Sequence, residues 1–132
     1  MTVLEHWFEE VWNKRNEAAI DQLWVPEKIV HGLNNPHGGQ VESKAAFKTF
    51  HNNFCTAFPD LHVHVEDTVT EGDKTVARVL VTGTHTGSGL RKLPTGKPVR
   101  FSGICMARLK DGKVIESWNS FDFMSMYEQL EW

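Results

Sequence analysis

From Leu61 onward the chain alternates apolar and polar residues, and two short turn signals cut that alternation into long strands. Leu61, Val63, Val65 and Val69 alternate with His62, His64, Glu66 and Thr68, the period-two pattern of a strand buried on one face. Gly72 with Asp73, and later Asp111 with Gly112, are residue pairs suited to two-residue hairpin turns. Two antiparallel hairpins are therefore predicted, with residues 88–97 as the loop between them. Counting outward from the first turn sets Glu71 opposite Lys74, Val69 opposite Val76, Asp67 opposite Arg78 and Val65 opposite Leu80. The same count from the second turn, over Val99 to Leu109 and Val114 to Asp122, sets Leu109 opposite Val114, Cys105 opposite Trp118 and Phe101 opposite Asp122. All six share one face unless a bulge shifts the register.

The first half of the chain reads as helix. Val3, Leu4, Trp7, Phe8, Val11 and Trp12 recur on one face of a helix ending between Asn13 and Asn16. Asn16 is placed to cap a second helix from Glu17 to Trp24, which Pro26 stops, and Lys28 to Leu33 reads as a brief strand. Asn34, Asn35, Pro36, His37, Gly38 and Gly39 form a loop. Ser43 then caps a third helix with Phe47, Phe50, Phe54 and Phe58 on one side, terminated by Pro59 and Asp60. Phe123 to Leu130 is a short helical or irregular finish. Helices first and an antiparallel meander second define an α+β layout. Long twisted strands curl, so three N-terminal helices on the concave side of a strongly curved sheet give a cone that stays open at one end.

With 132 residues, a single domain over 1–132 is expected, large enough for one core. A net charge of -3 without a Lys/Arg cluster argues against nucleic acid, and no apolar run approaches the roughly 20 residues of a membrane span. The acidic first ten residues do not read as a signal peptide. Cys55 and Cys105 show no CxxC spacing, which fits reduced thiols and a cytoplasmic location.

Asp122 is the first candidate for chemistry. It closes an otherwise apolar strand, where a carboxylate costs free energy unless paired or used, and apolar surroundings would raise its pKa and make it a base for an acidic C–H. The alternative is that Asp122 caps the tail by accepting backbone N–H bonds. Asp67 and Arg78 face each other, either orienting a polar substrate group or simply pairing across strands. His62, His64 and His85 with Glu66 raise the question of a metal, but alternation sets them opposite the valine face and no metal is predicted. His31 and His37 lie at and beside a strand end, as candidate pocket residues or as structural histidines. The Trp and Phe residues of the helices are core by their spacing, and Cys105 has no neighbouring base to make it a nucleophile.

Phe58-Pro59-Asp60-Leu61, the Gly83-Thr84-His85-Thr86-Gly87 segment, Pro94-Thr95-Gly96, and Asp111-Gly112-Lys113 followed by Trp118 and Asp122 together resemble the SnoaL-like polyketide cyclase family over nearly the whole chain. The resemblance implies the nuclear transport factor 2-like fold, a cystatin-like roll shared with ketosteroid isomerase and limonene epoxide hydrolase, and a homodimer or larger assembly. It also implies an aspartate near the end of the last strand acting as acid and base in an intramolecular aldol ring closure, with no metal or cofactor; by its distance from Asp111-Gly112-Lys113 that residue is Asp122. His31, His85, Phe101, Cys105 and Trp118 are then the expected substrate-binding residues for a small hydrophobic carbonyl compound. Where the cyclases carry a pocket histidine this chain has Ile104, Cys105 and Met106, and where they carry an asparagine it has Val30 and His31. Three alternatives share the fold: an epoxide hydrolase, whose second carboxylate would have to come from Asp67 beside Arg78, a ketosteroid-isomerase-like enzyme, and a non-catalytic binding or assembly module.

Overall fold

Thr2 starts the first helix because its hydroxyl accepts the Glu5 N–H at 3.2 Å while the Glu5 carboxylate accepts the Thr2 N–H at 2.9 Å, a reciprocal capping box. The computed structural model describes residues 1–36 and 38–132, so the expectation for His37 lies outside the described residues. Helix α1 (Val3–Trp7) runs straight into a π-helical stretch, Phe8–Asn13. There His51 Nε2 donates to the Val11 carbonyl at 2.6 Å. Asn13 ends the stretch by pairing with the backbone of Val63, its Oδ1 accepting the N–H at 2.7 Å and its Nδ2 donating to the carbonyl at 2.9 Å.

Helix α2 (Glu17–Leu23) follows Asn16, whose side chain makes no cap bond, so that expected cap is not formed. Helix α3 (Lys44–Ala57) is capped by Ser43, which accepts from the Ala46 N–H at 3.1 Å, and it buries Phe47, Phe50 and Phe54. Each such ring contributes roughly 2–3 kcal/mol of burial. The Arg15 guanidinium closes the other end, donating to the carbonyls of Phe58, Pro59 and Leu61. A last helix, α4 (Phe123–Leu130), finishes the chain.

Strands β1 (Ile29–His31), β2 (His62–Glu71), β3 (Lys74–Thr84), β4 (Pro98–Lys110) and β5 (Lys113–Phe121) form one sheet in the order β1-β5-β4-β3-β2. β1 is parallel to β5, and the other pairs are antiparallel. Asp111 and Gly112 both have positive φ, 53° and 75°, as a primed hairpin turn requires. Asp67 opposes Arg78 as predicted.

Both hairpin counts slip by one residue farther out. On β2 a bulge between Val65 and Asp67 sets Val65 opposite Val79, not Leu80. On β5, Leu109 opposes Val114 but Arg108 opposes Glu116, so Ile115 is the extra residue. Beyond it Cys105 opposes Asn119, Met106 opposes Trp118 and Gly103 opposes Phe121. Since side chains alternate faces, this single insertion turns Trp118 and Asp122 away from the concave face and brings Ser117, Asn119 and Phe121 onto it. The core lies between that face and the helices, with Val79, Val81, Val99, Phe101 and Ala107 buried on the sheet side.

Candidate active site

The rings of α1, α2 and α3 do not fill the concave side. A half-open cavity of about 80 Å³ remains, walled by Trp7, Trp24, Phe47, Phe101, Phe121 and Phe123 among others. Four polar side chains reach its wall: Lys28, Cys105, Ser117 and Asn119. Strand pairing explains why they gather. Lys28 stands two residues before the inward Val30, Val30 pairs with Ser117 across β1 and β5, and Cys105 pairs with Asn119 across β4 and β5. Asn119 Nδ2 donates to the His31 carbonyl at 3.0 Å and toward Ser117 Oγ at 3.4 Å.

Lys28 dominates the electrostatics of the cavity. Its Nζ lies 4.1 Å from the centre of the Trp24 ring and 4.5 Å from that of Trp7. No carboxylate lines the cavity, and Lys28 forms no ion pair among the described residues. Burial pushes its amine down from 10.5 to about 8, while the indole faces attract the ammonium and oppose that shift. Cys105 is buried beside it, and the same lack of water pushes its thiol up to about 12. A thiol held protonated is a weak donor and not a nucleophile.

The expected site residues scatter. Phe101 and Cys105 lie on the cavity wall. Trp118 and His31 do not: they stack on each other at 5.4 Å, and His31 Nε2 lies 2.7 Å from Glu116 Oε2 on the outer face. Arg108 joins the same carboxylate at 3.0 Å, and His31 first, then Arg108, hold the Glu116 carboxyl below its usual range. Asp122 is exposed; its Oδ1 accepts the Ser125 N–H at 3.0 Å, so it is the N-cap of α4 and stands outside the cavity wall. The β5 bulge is the physical reason that Trp118 and Asp122 leave the cavity side, whereas His31 faces outward because it alternates with the inward Val30 on β1.

His85 is fully buried, but away from the cavity, between Phe58 and Trp132. Its Nδ1 accepts the Thr95 N–H at 3.2 Å, and its backbone bonds Lys97 and Gly96, so it fastens the loop over residues 88–97. Burial holds its pKa below the ordinary value. Asp67 and Arg78 form an exposed pair at 2.9 Å, with Glu66 on the same guanidinium at 3.0 Å. The His62 and His64 rings are 4.1 Å apart on the exposed part of β2, far from forming a set with His85; among the described residues no three His, Cys, Asp or Glu side chains are grouped to hold a metal ion.

Lys28, Ser117, Asn119 and Phe121 are the wall residues that sequence reasoning missed. For Lys28 a signal existed: in a brief strand starting at Lys28, alternation puts it on the face of Val30. For the three β5 residues there was none, because the bulge that turns them inward has no marker such as glycine at Ile115.

An open, curved, mixed five-stranded sheet with helices over its concave face is the ketosteroid isomerase-like, nuclear transport factor 2-like architecture. A protein of that fold from Catenulispora acidiphila, solved with trimethylamine, superposes with a TM-score of 0.75 at 13% identity, covering 100% of this chain and 98% of that one. Within this class the model of the SnoaL-like polyketide cyclase family matches residues 2–130, and the chain belongs to that family. IdmH, a candidate polyketide cyclase from Streptomyces antibioticus, aligns at 24% identity and TM-score 0.81 over 98% of this chain and 96% of its own. AclR, a candidate hydroxylase from Streptomyces galilaeus, aligns at 28% identity and TM-score 0.78 over 92% of this chain and 74% of its own. No curated protein sequence matches the chain.

Proposed function

We propose that this protein catalyses cofactor-independent proton-transfer chemistry of the aldol-cyclisation type on a small hydrophobic carbonyl compound, with Lys28 as the acid and base. The observation that carries the reading is the Lys28 amine in an aromatic cavity that no carboxylate lines. A neutral amine there removes a proton from the carbon next to a carbonyl. The ammonium it becomes stabilises the enolate oxygen and returns the proton to the alkoxide formed on ring closure. Ser117 and Asn119, on the same wall, supply hydrogen bonds to a carbonyl oxygen. The exposed position of Asp122 supports moving the acid–base role away from it, and the exposed Asp67 offers no support for epoxide hydrolysis.

Size narrows the substrate. An apolar cavity of about 150 Å³ accepts benzene, so the 80 Å³ here takes only the reacting end of a molecule while the open side leaves the rest in solvent. A polycyclic ring system enclosed between Phe101 and Trp118 is not compatible with this geometry, because Trp118 faces outward. The exposure of Ile29 (51%) and Ile104 (50%) on the outer sheet face supports pairing with a second copy there. The free thiols of Cys55 and Cys105 support a reducing, cytoplasmic setting. Among the described residues no helix is long and apolar enough to cross a membrane.

The test uses butanone in deuterated buffer. Proton NMR should show exchange of the hydrogens next to its carbonyl at least tenfold faster with protein than without. Lys28→Met should abolish the acceleration and Asp122→Asn should keep it. Saturation transfer from protein to butanone without any accelerated exchange would mean a binding module and would overturn the catalytic reading.

A further inference from the structure

We infer that Lys28 acts covalently, its Nζ condensing with the substrate carbonyl to form an imine inside the aromatic cavity. The inference rests on the proposed carbonyl chemistry and names how the same residue performs it. Placement carries it. The ion-paired lysines bind carboxylates on the surface: Lys14 with Glu10, Lys44 and Lys48 with Asp21, and Lys97 with Glu131. Lys74, Lys92, Lys110 and Lys113 are exposed. Lys28 is the lysine on the wall of this cavity, where indole faces at 4.1 and 4.5 Å hold Nζ in place without taking its lone pair.

The amine that results is a competent nucleophile. With a pKa of about 8, roughly a tenth of it is neutral at pH 7, against about one part in 3,000 for an ordinary lysine. The Nζ lone pair attacks the carbonyl carbon, and a proton moves from nitrogen to the former carbonyl oxygen to give a carbinolamine. Protonation of that hydroxyl lets it leave as water while the nitrogen lone pair forms the C=N bond. Apolar walls exclude bulk water and so favour this dehydration, and the Ser117 hydroxyl on the same wall is a proton donor for the departing oxygen. The protonated imine draws electrons from the neighbouring carbon far more strongly than a carbonyl does. The Ser117 oxygen, having given up its proton to the departing water, takes a proton from that carbon, and the C–H electron pair forms the C=C bond of an enamine, the carbon nucleophile for ring closure.

The experiment incubates the full chain with butanone and sodium cyanoborohydride at pH 7.5, followed by peptide mass mapping. The hydride converts a butanone imine into a stable secondary amine, so the modified lysine is identified directly. Labelling of Lys28 should exceed that of every other lysine at least tenfold, should rise through a midpoint near pH 8, and should vanish in Lys28→Arg, which keeps the charge. Uniform labelling, or an unlabelled Lys28, overturns the imine. If butanone exchange stays accelerated while Lys28 is unlabelled, the residue is a simple base and the proposed function stands. If saturation transfer is also absent, the pocket reading falls with it. Mapping the wild-type protein alone decides the first point, so neither outcome depends on a variant folding.

Discussion

Lys28 carries an amine into apolar surroundings, and Cys105 carries a thiol, so each links stability to pH in a definable window. The Lys28 pKa falls on folding from 10.5 to about 8. Between those values the unfolded chain binds one proton more than the folded one, and stability rises with pH. The Cys105 pKa moves the other way, from 9.0 to about 12, so above 9 the folded chain holds the extra proton and stability falls with pH. Where the windows overlap the slopes cancel, and Cys55, whose thiol burial also raises, adds to the fall. Wild-type stability should therefore climb by about 0.6 kcal/mol between pH 8 and 9, the Lys28 rise of about 1 kcal/mol being partly offset by Cys105, and decline beyond. Lys28→Met should erase that climb. At pH 7 it should also stabilise the fold: removing a desolvated ammonium returns about 3 kcal/mol, while losing the two indole contacts costs about 1–2 kcal/mol. Urea unfolding across pH 7 to 10 measures both. A variant that gains stability and loses exchange activity is the signature of a residue held in place for chemistry.

Among the elements, β5 decides what the cavity contains. The one-residue insertion at Ile115 sets which side chains of its outer half face inward, and Phe121 then folds over Gly103 of β4. A Cβ on Gly103 would come within 2.3 Å of Phe121 Cδ1, which no real contact allows. Gly103→Ala should displace the ring, destabilise the protein by about 1–3 kcal/mol and weaken butanone binding, seen as a lower melting temperature and reduced saturation transfer. The helices on the other side of the cavity hold their places by specific bonds. Asn13 satisfies the backbone of Val63 on the edge strand β2, and Arg15 gathers the carbonyls that follow α3. These contacts fix where Trp7 and Phe47 stand relative to the sheet, and hence the width of the opening.

For the whole molecule the concave and convex faces carry different tasks. The concave face is closed by helices except at the cavity, whereas the convex face is bare and includes Ile104 in its centre, opposite Arg78 and Ser120. If a second copy covers that face, Ile104→Lys should convert the assembly to monomers in light scattering after gel filtration while leaving the melting curve of the monomer unchanged. A wild-type protein that elutes as a monomer at all concentrations would count against this contact.

Much of this architecture was legible in advance. Ser43 before a run of phenylalanines every three or four residues specifies α3, and the Asp111-Gly112 turn and the pairing of Asp67 with Arg78 follow from turn chemistry and alternation. The alternative reading of Asp122 as a cap was present in the sequence as well. These are local matters, fixed by backbone geometry within a few residues. What the chain brings into its cavity is not local. An extra residue in one strand reverses the facing of everything beyond it, and only the pairing of β5 with β4 shows that Ile115 is that residue. Likewise the sequence places Lys28 at a strand end, but the low pKa of its amine comes from its burial in a cavity that only the packing of helices against the sheet creates, with no carboxylate on the wall among the described residues to offset it. Secondary structure was set by neighbours along the chain; the chemistry was set by neighbours in space.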